Sequence, residues 1–132
     1  MPAPVEVLET VPLFASLDHG QLEQLARSFR ERTFPEGSEV TTEGQGGVGF
    51  FVIESGIATV SVGGDERRTL QPGDYFGEMA LIDHEPRSAT IVADSELRCW
   101  GLTSWEFRPL VETNAAIAWA LLQTMAKRLR EA

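Results

Sequence analysis

The stretch Phe76-Gly77-Glu78-Met79-Ala80-Leu81, a five-residue loop over 82–86, and then Arg87-Ser88-Ala89-Thr90 carries most of the chemical information in this chain. Pro72-Gly73-Asp74-Tyr75 leads into it. Gly77 and Ala80 are small, so a ligand can approach the backbone closely there. If 77–81 forms a short helical turn, its first N–H groups point outward and offer an anion site. Arg87 supplies a planar, permanently charged fork that grips phosphate oxygens in pairs. Glu78, ionised, only accepts hydrogen bonds, so beside a phosphate it needs a donor such as a sugar hydroxyl. A cation for phosphate and a carboxylate for a ribose hydroxyl on one short loop describe a nucleotide cassette.

Around this loop the pattern from Thr33 to Leu102 has a period of two, punctuated by glycine. The runs 38–42, 50–54, 57–62 and 67–70 read as strands, separated by Pro35-Glu36-Gly37, Gly44-Gln45-Gly46-Gly47, Ser55-Gly56 and Gly63-Gly64. Gly63-Gly64 between two alternating runs predicts a hairpin. Many short strands at this spacing predict a sandwich, roll or barrel. On the N-terminal side, residues 5–30 read as helical. Asp18-His19-Gly20-Gln21 has the form of a capping start, and Leu22, Leu25, Ala26 and Phe29 recur at helical spacing. On the C-terminal side, Thr103-Ser104-Trp105-Glu106 reads as a second capping box, and Asn114 as the start of a longer helix. Ala118, Leu122, Met125 and Leu129 form a narrow seam on that helix, suited to packing on the roll or on a second subunit.

The whole is expected to be one domain over 1–132. Its parts are an N-terminal helical part (1–32), a β-roll (33–102) carrying the cassette (76–90), and C-terminal helices (103–132). A chain of 132 residues with 42% hydrophobic content can bury a core without metals or cross-links. Its net charge of −9, with Lys127 the single lysine, argues against nucleic-acid binding by this chain alone. No apolar run is long enough to span a bilayer, and the opening residues lack a secretory signal. One cysteine, Cys99, permits no internal disulfide, so a cytoplasmic location is expected. Cys99 reads as a small buried hydrophobe. Trp105 and Trp119 read as packing residues, with the alternative that Trp119 approaches a nucleotide if its helix folds over the roll; His19 reads as a first-turn helix residue and His84 as an exposed loop residue.

The two-part motif at 76–81 and 87–90 resembles the phosphate-binding cassette of the cyclic nucleotide-binding domain superfamily. That superfamily includes catabolite-activator-like regulators, protein kinase regulatory subunits and nucleotide-gated channels. Met79 stands where leucine is commoner, a volume-conserving change. The likeness extends outward to Pro12-Leu13-Phe14, to Gly37, Gly44, Gly56 and Gly73-Asp74 at the turns of the roll, and to a long C-terminal helix over 121–130. It implies a mainly β fold with flanking helices: a double-stranded β-helix, or jelly-roll-like β-roll, with N-terminal helices and a C-terminal helix pair.

The resemblance also implies roles. Glu78 would accept from the ribose 2′-hydroxyl and Arg87 would pair with the exocyclic phosphate oxygens. Gly77 and the backbone N–H groups of Met79, Ala80, Ser88 and Ala89 would complete the phosphate shell. Serine at 88 occurs in bacterial cAMP receptors, so cAMP is the expected ligand, with cGMP the alternative because a hydroxyl here can also serve a guanine. No cofactor and no enzymatic activity are expected. The expected role is a regulatory sensor whose C-terminal helix moves with ligand, either as a homodimer or attached to an effector domain. The alternative is a sensing fragment of a larger transcription regulator, acetyltransferase, kinase or channel. In bacterial receptors residues near the end of the long helix contact the base. Here the lid is left incomplete, supplied by a second subunit, or placed beyond residue 132. An ion pair between Glu78 and Arg87 in a vestigial, non-binding copy is the bland alternative. A cupin-like metalloenzyme needs several clustered histidines, and only His19 and His84 are present.

Overall fold

The computed structural model describes residues 3–41, 49–77, 81–82 and 89–131. Three short helical pieces open the chain: α1 (Val5–Glu9), a 3-10 turn (Pro12–Phe14) and α2 (His19–Ala26). Eight strands follow: β1 (Arg30–Phe34), β2 (Glu39–Thr41), β3 (Gly49–Ser55), β4 (Ala58–Val62), β5 (Asp65–Leu70), β6 (Tyr75–Phe76), β7 (Thr90–Ala93) and β8 (Leu97–Thr103). Helices α3 (Ser104–Glu112) and α4 (Ala115–Glu131) close it. The strands form two antiparallel four-stranded sheets, ordered β1-β8-β3-β6 and β2-β7-β4-β5. The fold is therefore mainly β with flanking helices, as expected.

Alternation along the strands divides the core in two. In β3, Phe50 and Val52 face the helices while Ile53 faces the roll interior. In β8, Trp100 and Leu102 join the helical side, and Leu97 and Cys99 the interior. The interior is completed from the second sheet by Ala58, Val60, Leu70, Ile91 and Ala93. On the helical side Phe50 takes the edges of Phe14 and Phe29, with ring centroids 5.7 and 6.0 Å away. Such edge contacts add to the area buried.

Both capping starts are present. Asp18 accepts from the Gln21 backbone N–H at 2.8 Å and Gln21 accepts from the Asp18 N–H at 2.9 Å. At α3, the Glu106 carboxylate accepts from the Thr103 N–H at 3.2 Å and from its hydroxyl at 2.7 Å. The hairpin β4–β5 turns at Gly63-Gly64, with φ of +61° and +86°.

The helical reading of 5–30 is corrected at its end. Helix α2 stops at Ala26, and Phe29 reaches the core through a turn in which its N–H donates to the Ala26 carbonyl at 3.2 Å. From Arg30 the chain pairs with β8, Arg30 opposite Gly101. A buried aromatic at helical spacing was satisfied equally well by a turn, and strand pairing decided the rest.

Candidate functional site

The cassette is held at three points. Its leading end is β6, where Phe76 pairs with Phe51 and points into the roll interior while Tyr75 pairs with Val52. Just upstream the chain is pinned twice to β3: the Gly73 N–H donates to the Ile53 carbonyl, and the Ile53 N–H to the Asp74 carbonyl, both at 2.9 Å. Asp74 folds the turn itself, its carboxylate accepting from the Gln71 N–H at 2.9 Å. Gly77 then takes φ of +83°, a left-handed conformation that glycine adopts without a Cβ penalty.

The second point is Leu81, 4% exposed, which inserts into the helix-side core, while Ile82 beside it is exposed. At the third, Ala89 packs against the roll interior and leads into β7, where Ile91 is buried. The two ends thus sit on different sheets, β6 in the first and β7 in the second. Of the expected site residues, Gly77 and Ala89 are at these anchors. Glu78, Met79, Ala80, Arg87 and Ser88, and with them His84, lie outside the described residues.

A profile described as the cyclic nucleotide-binding domain matches residues 31–114, which contain the roll, the cassette and α3. The chain belongs to the cyclic nucleotide-binding domain family. Among curated proteins it is 39% identical to a cGMP-dependent protein kinase of Toxoplasma gondii over 94 residues, covering 71% of this chain and 10% of that one. It is also 39% identical to a cAMP-dependent protein kinase regulatory subunit of Aspergillus niger over 93 residues, covering 69% of this chain and 23% of that one. The chain thus spans a quarter or less of these relatives. A solved structure, the N-terminal domain of a transcriptional regulator from Streptomyces coelicolor A3(2), superposes with a TM-score of 0.87 at 31% identity, covering 95% of this chain and 93% of that one.

As a cyclic nucleotide-binding domain, the chain has features around its cassette that the motif alone did not bring out. Arg68 of β5 pairs across the ladder with Val60, which pairs in turn with Ile91. Val60 and Ile91 face the roll interior, so Arg68 lies on that same inward face, about 10 Å from Ile91 at ordinary strand spacing. It is exposed and makes no ion pair among the described residues. Counting back by twos from the buried Leu70 would have found it. Among the described residues no group of three His, Cys, Asp or Glu is placed to hold a metal ion, and no helix is long and apolar enough to cross a membrane.

Next to Leu81 and Ile82 an apolar groove of about 450 Å³ runs between the cassette turn, α3 and α4, lined by Phe107, Val111, Leu122 and Met125. The face of α4 that is buried is Ile117, Ala120, Leu121 and Thr124. It packs on the N-terminal helices. Of the two placements expected for the seam, packing on the roll is not seen: Leu122 and Leu129 are 60% and 78% exposed, as a seam meant for a second subunit would be. Trp105 and Trp119, expected to pack, are 63% and 65% exposed, because each lies on the side of its helix away from the core. Cys99 is fully buried, and desolvation pushes its thiol up to about 12.

Proposed function

We infer that this chain is a non-catalytic regulatory module that takes a 3′,5′-cyclic purine nucleotide at the cassette and transmits occupancy to α4. One observation carries this reading. The signature stretch 76–90 begins at Phe76 on one sheet and ends at Thr90 on the other, and between them Leu81 packs in the core beneath the helices. In this reading Arg87 holds the phosphate and Glu78 the ribose 2′-hydroxyl, while Gly77, Met79, Ala80, Ser88 and Ala89 offer backbone to the phosphate. The negative net charge does not oppose an anionic ligand, because surface charges beyond about 8 Å are screened in physiological salt. The module acts in the cytoplasm, as a homodimer or beside an effector domain, and nucleotide shifts a pre-existing equilibrium that the effector reads.

The base read by the site is adenine on the strength of Ser88. A second reading, guanine, is favoured by Arg68. Its register places it on the inward face, it has no carboxylate partner among the described residues, and arginine donors match the O6 and N7 acceptors of guanine. The relatives do not separate the two, since equal identity links the chain to kinase proteins named for each nucleotide.

Titration calorimetry with cAMP, cGMP and 5′-AMP tests this. Saturable binding of a cyclic nucleotide, no binding of 5′-AMP, and a loss of about tenfold to a hundredfold in Arg87→Ala are expected, since a charge-assisted hydrogen bond contributes about 1.5–3 kcal/mol. Arg68→Gln weakens cGMP and spares cAMP if guanine is read. No heat with either cyclic nucleotide at millimolar concentration overturns the sensor reading.

A further inference from the structure

One row of residues runs straight across the first sheet. In the order β1-β8-β3-β6 it reads Arg30, Gly101, Phe51 and Phe76, each paired in register with the next. Side chains paired in this way share a face. Here it is the face of the roll interior, against which Phe51 and Phe76 both pack. Phe76 is the last residue before Gly77, so the row ends at the cassette.

Gly101 is buried in the middle of β8, where glycine weakens a strand and often marks a close approach. Its backbone is not left-handed, so conformation does not require glycine here. Space does. A Cβ at 101 would lie 2.7 Å from Cε1 and 2.9 Å from Cδ1 of Phe51. The Phe51 ring therefore rests on the β8 backbone. Elsewhere it meets the edge of Phe34, with centroids 5.6 Å apart, and the tilted ring of Phe76, 5.4 Å apart. Strand β3 thus holds the start of the cassette in two ways. The backbone of Ile53 bonds Gly73 and Asp74 ahead of β6, and the ring of Phe51 packs on the residue next to Gly77.

We propose that Phe51, seated on Gly101, is a positioning residue for nucleotide binding: it sets the place of Phe76 and with it the course of the cassette from Gly77 onward. This rests on the sensor reading above and adds to its site a residue that acts through another. A side chain at 101 pushes the ring away from β8, and the neighbour on that side is β6. The strain falls on Phe76, because a packed interior has few voids to take up a displaced ring.

The test is titration calorimetry with cAMP and cGMP, beside thermal melting, of the parent chain, Phe51→Leu, Gly101→Ala, the double variant and Phe29→Leu. Phe29 packs on the opposite, helical side of the sheet, so Phe29→Leu is a destabilised control away from this row. Gly101→Ala should bind about tenfold to a hundredfold more weakly than the parent. Phe51→Leu, which strips Phe76 of its ring contact, should lose about threefold to tenfold. The double variant should bind like Phe51→Leu, because the smaller side chain makes room for the new Cβ. Phe29→Leu should melt lower and keep the parent's Kd. A Phe51→Leu Kd within about twofold of the parent, an equal loss in Phe29→Leu, or a double variant weaker than Gly101→Ala overturns the positioning role while the sensor reading stands. If Gly101→Ala does not fold, Phe51→Leu against Phe29→Leu decides alone. A parent chain that binds neither nucleotide overturns both.

Discussion

Cys99 shows how an interior position changes the chemistry of a side chain. It faces the roll interior beside Ile53 and Leu97, where no water stabilises a thiolate, and its pKa rises from 9.0 to about 12. The unfolded chain therefore loses this proton at lower pH than the folded one. Between those two values the folded state binds more protons, so stability falls as pH rises. The contribution is complete below about pH 9 and is lost as pH climbs toward 12. Denaturant unfolding at several alkaline pH values should show a shallower decline in Cys99→Ala than in the parent. A thiol reagent at pH 8 should label Cys99 only as the chain unfolds.

At the scale of elements, the start of α3 concentrates several demands on one side chain. The Glu106 carboxylate accepts from both the N–H and the hydroxyl of Thr103 and lies 3.8 Å from Arg30 Nε. It connects the end of β8, the first turn of α3 and the start of β1. Glu106→Ala should cost about 1 kcal/mol, the usual value of an N-terminal cap, read as a lower urea midpoint at unchanged slope. The Arg30 contact adds little, because Arg30 is largely exposed. Helix α4 carries a different balance. Its residues Ala118, Leu122, Met125 and Leu129 are regularly spaced, yet the stripe one position away is the one that packs.

For the whole molecule, the three tryptophans report on the architecture separately. Trp100 is 4% exposed under the helices, whereas Trp105 and Trp119 are mostly in solvent. Iodide should quench the emission of Trp105 and Trp119 and leave that of Trp100. Addition of a cyclic nucleotide should protect Trp119 alone.

Much of this was legible in the sequence. Period-two runs between glycines marked β3, β4 and β5, and Asp18-x-x-Gln21 and Thr103-x-x-Glu106 marked α2 and α3, because those patterns follow from local stereochemistry. The pairing of β1 with β8 was not, since Arg30 to Phe34 is mostly charged and exposed and gains its strand only from a distant partner. Nor was the packed face of α4. Helical spacing shows that an apolar stripe exists but not which of two adjacent stripes meets the rest of the chain. For the cassette, the motif named the chemistry, and the anchoring of Phe76, Leu81 and Ala89 explains how the loop is carried.

The sheet order has a consequence for how the chain is made. Strand β1 waits for β8, and β2 for β7, partners that lie far downstream in the sequence. As the polypeptide leaves the ribosome, only the β4–β5 hairpin and the β3–β6 pair can form from what has already emerged. Strands β1 and β2 stay unpaired until translation has passed residues 90–103, a topology that folds slowly and leaves unpaired edges open to other nascent chains.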